Sequence, residues 1–251
     1  MTLPTDVADQ ETLAFLRRCA EIGKGSRLLE IGCGDGALAA LIGEQGIEVR
    51  GIDIRKEAVA EARKRGVDAV HTDLASFADE PFDTVIFSRS LHHIHSPEAA
   101  IESARTLLKP GGVVFVEDFG VDLIDVQGAY WRYAVELFLN AVGLLKETVD
   151  EIALPPDPLI RWKEDHEADH RIADSRTLGR VIHLGFSVQT EERGAYLYRY
   201  LVGKLESTQR GVDMARHVLE WEKGLIESGM APVGLRWAAT NKPDSSRLHP
   251  R

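Results

Sequence analysis

Arg27-Leu28-Leu29-Glu30-Ile31-Gly32-Cys33-Gly34-Asp35-Gly36-Ala37-Leu38 is the stretch whose reading decides the fold. A short apolar run of this kind is the signature of a strand buried on both faces of a parallel sheet. The run ends in Gly32, Gly34 and Gly36 at alternate positions, and a helical pattern starts at Ala37. Glycines at a strand end let the backbone turn sharply and approach a ligand closely. Glu30 lies just inside the turn, where a carboxylate is costly to bury without a partner. The positive part of a bound cofactor would be such a partner.

The spacing separates two readings. The dinucleotide fingerprint is G-x-G-x-x-G followed by an acid roughly 20 residues on. Here the third glycine comes one place early, as Gly32-x-Gly34-x-Gly36. Val49 to Ile54 reads as a second strand closed by Asp53, whose carboxylate can accept from both hydroxyls of a ribose. Both readings therefore predict an adenosine ligand. The acid before the glycines and the compressed spacing favour a sulfonium cofactor over a pyrophosphate one.

Downstream, Phe82-Asp83-Thr84-Val85-Ile86-Phe87-Ser88 is another apolar strand, followed by Leu91-His92-His93. Leu107-Leu108-Lys109-Pro110-Gly111-Gly112 reads as a helix end and turn, leading into a strand at Val113-Val114-Phe115-Val116-Glu117. In this order the segments resemble the class I S-adenosylmethionine-dependent methyltransferases, in particular the small-molecule group with E-x-G-C-G-x-G, an LHH segment and L-K-P-G-G. The resemblance spans about residues 10–120. It implies an α/β, Rossmann-like, doubly wound fold with a mainly parallel seven-stranded sheet. An antiparallel C-terminal edge strand and a helical insertion after strand five complete the plan. The expected cofactor is S-adenosyl-L-methionine, with S-adenosyl-L-homocysteine as product.

Composition fits a globular protein. The 251 residues can bury a substantial core, and 44% hydrophobic with 28% charged residues is ordinary for a folded chain. A formal net charge of −10 argues against a nucleic-acid partner, since such proteins carry a basic footprint. No run approaches a membrane span, and the N-terminus lacks a basic segment followed by an apolar core. Two cysteines make no disulfide framework, so a cytoplasmic location is expected. One methyltransferase domain over 1–251 is expected, with a helical insertion or lid at 121–170 and a flexible tail at 242–251.

Alternating strands and helices continue to strand five at about 112–117. Beyond Phe119 the rhythm changes. Ala129 to Leu145 reads as an aromatic-rich helix, and Ser175 to Leu184 as another, capped by Gly185. Phe186 to Thr190 starts a strand, which the Tyr196-Leu197-Tyr198-Arg199-Tyr200 alternation continues or repeats. A long helix over about 207–227 and a last strand over 233–240 end the pattern.

The cofactor contacts expected from this reading are Glu30, Gly32, Cys33, Gly34, Gly36, Asp53, Ile54, Asp73, Leu74 and Ser88. The resemblance places Asp73 against an adenine amino group and Ser88 beside the methionine moiety. Cys33 reads as a small packed residue, since nothing near it in sequence would lower its pKa. Among His92, His93 and His95, at the carboxyl edge of strand four, His93 is the candidate base for an acceptor hydroxyl. His166-Glu167-Ala168-Asp169-His170 matches H-E-x-x-H formally, but its polar flanks favour a surface turn over a zinc site, and no metal is expected. His166 or His170 is instead a candidate to close over the substrate.

A sulfonium methyl is already activated, so the expected reaction needs orientation more than chemistry. It transfers the methyl to a small, partly apolar acceptor, most simply at oxygen. The alternatives from other classes are a nucleotide-dependent oxidoreductase and a silent cofactor-binding module serving a partner protein.

Overall fold

Consecutive residues of β1 (Arg27–Ile31) and β4 (Phe82–Ser88) are buried, as expected for strands covered on both faces. In the computed structural model of the chain, which describes residues 2–19, 26–147, 153–167 and 172–241, these two strands pair in parallel. β2 (Glu48–Asp53) pairs with β1 on its other side, and β3 (Asp68–His71) with β2, also in parallel. Helices α2 (Ala37–Gly43), α3 (Lys56–Lys64) and α4 (Pro97–Leu107) connect this half of the sheet. Ser96 caps α4 with Pro97 at its first position, a place where the missing N–H costs nothing.

β5 (Leu108–Phe119) starts earlier than the sequence suggests. Phe82 pairs with Leu108 and Thr84 with Val113, so the residues between are looped out as an irregularity inside the strand. Lys109-Pro110-Gly111-Gly112 is therefore a bulge in β5, with Gly111 at φ 76°.

The full sheet has the order β3-β2-β1-β4-β5-β7-β6, with β6 at Phe186–Gly194 and β7 at Gly234–Asn241. The direction of β7 follows from its neighbours. Glu117 of β5 binds Arg236 while Gly120 N–H donates to Val233, so residue numbers rise along one as they fall along the other. Gln189 meets Thr240, and Gly234 sits against Gly194, which gives the same antiparallel sense between β7 and β6. The C-terminal strand is thus inserted second from the edge and forms an antiparallel edge pair with β6.

The chain divides into two compact units. One comprises Thr12–Asp118, Arg176–Glu192 and Arg236–Arg251; the other Met1–Glu11, Phe119–Ser175 and Arg193–Leu235. In the first, Leu28, Ile86 and Phe115 pack with Leu13, Phe15 and Leu16 of α1 (Asp6–Cys19) and with Leu38 and Ile42 of α2. Val59 and Ala62 of α3 pack with Cys33, Val67 and Ala69 in a separate cluster. α7 (Ser175–Gly185) ends on a glycine whose Cβ would lie 2.2 Å from Ile101, so no larger residue fits there.

The second unit has an aromatic core. α5 (Val126–Ala141), capped by Asp125, contributes Trp131, Val135 and Leu139; α6 (Pro158–Glu167) contributes Trp162. Phe119 stacks on Tyr196 at 4.7 Å and 17°, and Trp162 Nε1 donates to the Val121 carbonyl at 3.0 Å. The tyrosine alternation at 196–200 is not a strand. It is a turn followed by the one-turn helix α8 (Arg199–Val202). The cause is Glu222 of α9 (Gln209–Glu227), whose carboxylate accepts the N–H groups of Tyr196, Leu197 and Tyr198 at 2.8, 2.9 and 2.7 Å. With those amides taken, no ladder can form. Burial pushes the Glu222 carboxyl up to about 7, against the lowering effect of the same three amides.

The tail at 242–251 and the second half of the H-E-x-x-H segment, with His170, lie outside the described residues. No helix among the described residues is long and apolar enough to cross a membrane.

Candidate active site

The loops that follow β1, β2, β3 and β4 all leave the sheet at its carboxyl edge, because the four strands are parallel. Open α/β sheets bind ligands at that edge. Here the loops enclose a cleft of about 650 Å³, lined by Ile31 and Gly32 at the end of β1, Asp53, Ile54 and Arg55 at the end of β2, Thr72, Asp73 and Leu74 after β3, and Arg89, Ser90, His93, Ile94 and His95 after β4. That volume lies within the range of small-molecule sites.

Gly32, Gly34 and Gly36 adopt φ of 74°, 57° and 76°. L-residues rarely hold this region, so glycine is required at each. Two of the three have a second reason internal to the protein. A Cβ on Gly32 would lie 2.6 Å from Ser90 Cβ, and one on Gly36 would lie 2.8 Å from Ala62 Cβ. A Cβ on Gly34 would approach only the tip of Arg55, at 3.8 Å. The loop is anchored by Gly32 and Cys33 N–H donating to the Ile52 carbonyl at 2.8 and 3.0 Å, and by Ser90 Oγ donating to the Ile31 carbonyl at 2.6 Å.

Asp53 is buried and does structural work. Its Oδ2 accepts the Gly34 N–H at 2.9 Å, and its Oδ1 accepts the Arg55 N–H at 2.8 Å. One carboxylate thereby ties the glycine turn to the end of β2. Next to it, Ile54 is 71% exposed, an apolar side chain left in the open at the cleft. His71 Nε2 donates to the Ile54 carbonyl at 3.0 Å, since a carbonyl only accepts, and this holds the β2 and β3 loops together. Asp73 is exposed. Hydrogen bonds from Ser76 hold its carboxyl below the ordinary aspartate range, so it is anionic at neutral pH.

The cleft brings together seven of the residues named from sequence: Gly32, Asp53, Ile54, Asp73, Leu74, His93 and His95. The other cofactor candidates stand behind it. Glu30 and Ser88 are buried within their strands, and Gly34 and Gly36 support the turn. Cys33 packs over Gly51, where any Cβ would lie 2.7 Å from its Sγ. Burial, with the charges of Glu30 and Asp53, pushes the Cys33 thiol up to about 12, which removes it as a nucleophile. Arg55, Thr72, Arg89, Ser90 and Ile94 line the cleft as well; the first four lie within two residues of a strand end, and Ile94 follows the turn at Leu91–His93. Arg89 carries the backbone strain of the site. Its φ of 58° makes it the one non-glycine residue with positive φ among the described residues, and its N–H donates to the Glu117 carbonyl at 2.7 Å.

His166 sits in the aromatic core of the second unit. Its Nδ1 donates to the Trp162 carbonyl at 2.7 Å, which leaves Nε2 to accept from Tyr200 Oη at 2.9 Å. Among the described residues no group of three or more His, Cys, Asp or Glu is placed to hold a metal ion.

Comparison with known proteins agrees with this architecture. The Ubiquinone biosynthesis O-methyltransferase of Xylella fastidiosa (strain 9a5c) is 34% identical over 138 residues, covering 50% of this chain and 55% of that protein. The chain thus spans about half the length of the curated relatives it matches. Among solved structures, the N-methyltransferase NodS of Bradyrhizobium japonicum, in complex with S-adenosyl-L-homocysteine, is 15% identical at a TM-score of 0.54, over 96% of this chain and 89% of that one. The cyclase SpnF is 20% identical at a TM-score of 0.58, over 94% and 82%. At these identities the two structures share the fold. The family described as "Methyltransferase domain" matches residues 7–141, more than half of the chain. The chain belongs to that family, and its sheet is the Rossmann-like sheet of the class I methyltransferase fold.

Proposed function

We propose that the cleft binds S-adenosylmethionine along the strand ends, from β3 to β4, and that the enzyme methylates a hydroxyl of a small, partly apolar molecule. The observation that carries this reading is the order of side chains along the sheet edge. Asp73 and Leu74 follow β3, Asp53 and Ile54 stand at the end of β2, the glycine turn follows β1, and Arg89 to His95 follow β4. Three strand spacings separate the ends of that row, or roughly 14 Å. A row of that length suits an elongated ligand with a nucleoside at one end and an amino acid at the other.

The residues fit such a ligand. Asp53 and Asp73 are acceptors, suited to ribose hydroxyls and to an exocyclic amino group. Ile54 and Leu74 offer apolar flanks for a planar base. The left-handed turn at Gly32 lets backbone rather than side chain border the middle of the cleft, and Glu30 is buried in β1 two residues before it. When bound, the cofactor supplies an electrophilic methyl whose leaving sulfur takes the bonding electron pair. The protein must hold an acceptor oxygen in line with it and exclude water; orientation of this kind contributes roughly 7–11 kcal/mol in favourable cases.

We assign His93, at the β4 end of the cleft, as the group that takes the acceptor's hydroxyl proton as the new O–C bond forms. A positioned base adds roughly 10²–10⁴-fold. Oxygen is the acceptor favoured by the named curated relative. The test has two parts. Mass spectrometry of the native purified protein should find a bound adenosyl thioether. Incubation with S-adenosylmethionine and a panel of phenols, amines and thiols should give O-methyl products. Methylation confined to amines or thiols would overturn the oxygen assignment.

A further inference from the structure

Behind His93 lies a second histidine that the proposed reaction does not use. His92 is buried, whereas His93 borders the cleft. Asp118, at the end of β5, is fully buried and holds His92 twice: its Oδ2 accepts the His92 backbone N–H at 3.1 Å, and its Oδ1 lies 2.5 Å from the ring Nδ1. The His92 ring in turn rests against the His93 ring, with centroids 3.9 Å apart and planes at 41°.

The local backbone explains why such a grip matters. Leu91–His93 is a single 3-10 turn, a conformation with poor internal hydrogen-bond geometry. Leu91 anchors it in the core on one side, and His93 borders the cleft on the other. Asp118 fixes the turn through the His92 amide and fixes the ring that His93 leans on. We propose that Asp118 is a positioning residue, acting through His92 to hold the His93 imidazole in one orientation at the acceptor end of the cleft. The inference rests on the reading of the cleft as the methyl-transfer site, and its test separates the two.

The measurement is histidine-labelled NMR of the whole chain with S-adenosylhomocysteine present, with the ring Cε1–H signal of His93 assigned by its loss in His93→Gln. In the native protein that signal should sit away from the free-histidine position. Asp118→Asn keeps an oxygen for the His92 amide and removes the charge; in it the His93 signal should shift from its native position, while circular dichroism and S-adenosylhomocysteine affinity stay the same. With an acceptor from the panel above, kcat should fall on the order of 10–100-fold at unchanged acceptor KM, as expected for a misplaced group. Asp118→Asn added to His93→Gln should cost nothing more, because the two act as one unit. An unmoved His93 signal in folded Asp118→Asn, or additive losses in the double variant, would overturn the inference. If Asp118→Asn does not fold, His92→Gln cuts the same link from the other end and is read the same way. If His93→Gln methylates at the native rate while the His93 signal still responds to Asp118→Asn, the base assignment fails and the positioning stands.

Discussion

The two units of this chain are built by different rules. In the unit that carries the cleft, strand, loop and helix follow one another from Arg27 to Leu107, and each loop at the carboxyl edge delivers its own residues. In the other unit three distant segments supply the core, and Tyr196 to Tyr200 take their shape from Glu222, 24 to 26 residues away. The first kind of structure is written locally; the second depends on long-range partners. The contrast teaches which substitutions should act through stability and which through ligand binding.

The largest effect is expected in the aromatic core. Trp162→Ala removes a fully buried ring that contacts Phe119, His166 and Tyr200, and should cost about 3–5 kcal/mol of unfolding free energy by chemical denaturation. A cost below about 1 kcal/mol would show that the second unit does not depend on this packing.

Glu222 sharpens the same point through pH. Its folded carboxyl titrates near 7, above the ordinary glutamate value, so the native state holds a proton that the unfolded chain releases. The sign follows from proton linkage: this group contributes stability below about pH 4.5, and the contribution is lost as pH rises to about 7. The shift corresponds to about 3 kcal/mol at most. Unfolding free energies measured from pH 4.5 to 7.5 should lose this slope in Glu222→Gln, and an unchanged slope would remove Glu222 as its source.

Within the glycine turn the comparison becomes one of position. Gly36→Ala meets both a left-handed φ and a collision with Ala62, and should cost more than Gly34→Ala, which meets the φ alone. The left-handed penalty by itself is roughly 1–2 kcal/mol. Thermal melts of the two variants check the order, and equal losses would mean that packing against α3 is unimportant.

This asymmetry also explains what the sequence made legible. Buried parallel strands announce themselves as short apolar runs, so β1, β2 and β4 stand in the structure almost where Leu28, Ile52 and Ile86 place them. The same runs place Gly32, Asp53 and Asp73 at or just beyond strand ends, and all three line the cleft there. The tyrosine alternation misled because period two reports a strand only when its amides are available for a ladder. The bulge at Lys109–Gly112 was hidden because Leu108 pairs with Phe82 ahead of it and pairing resumes beyond it, in a shifted register, at Val113. His92 looked equivalent to His93 for a similar reason: the carboxylate that distinguishes them, Asp118, lies 26 residues further on and has no local signature.

The central claim is that the row of loop residues from Asp73 to His93 is an adenosyl-cofactor site organised by Asp53. Isothermal titration of S-adenosylhomocysteine into the native protein and into Asp53→Ala tests it most directly, with NADH as the control ligand. The account predicts one site on the native protein, no heat from NADH, and a loss of roughly 1–3 kcal/mol in Asp53→Ala as charge-assisted hydrogen bonds disappear. Native-like affinity in a folded Asp53→Ala variant, or NADH binding in place of the thioether, would contradict it.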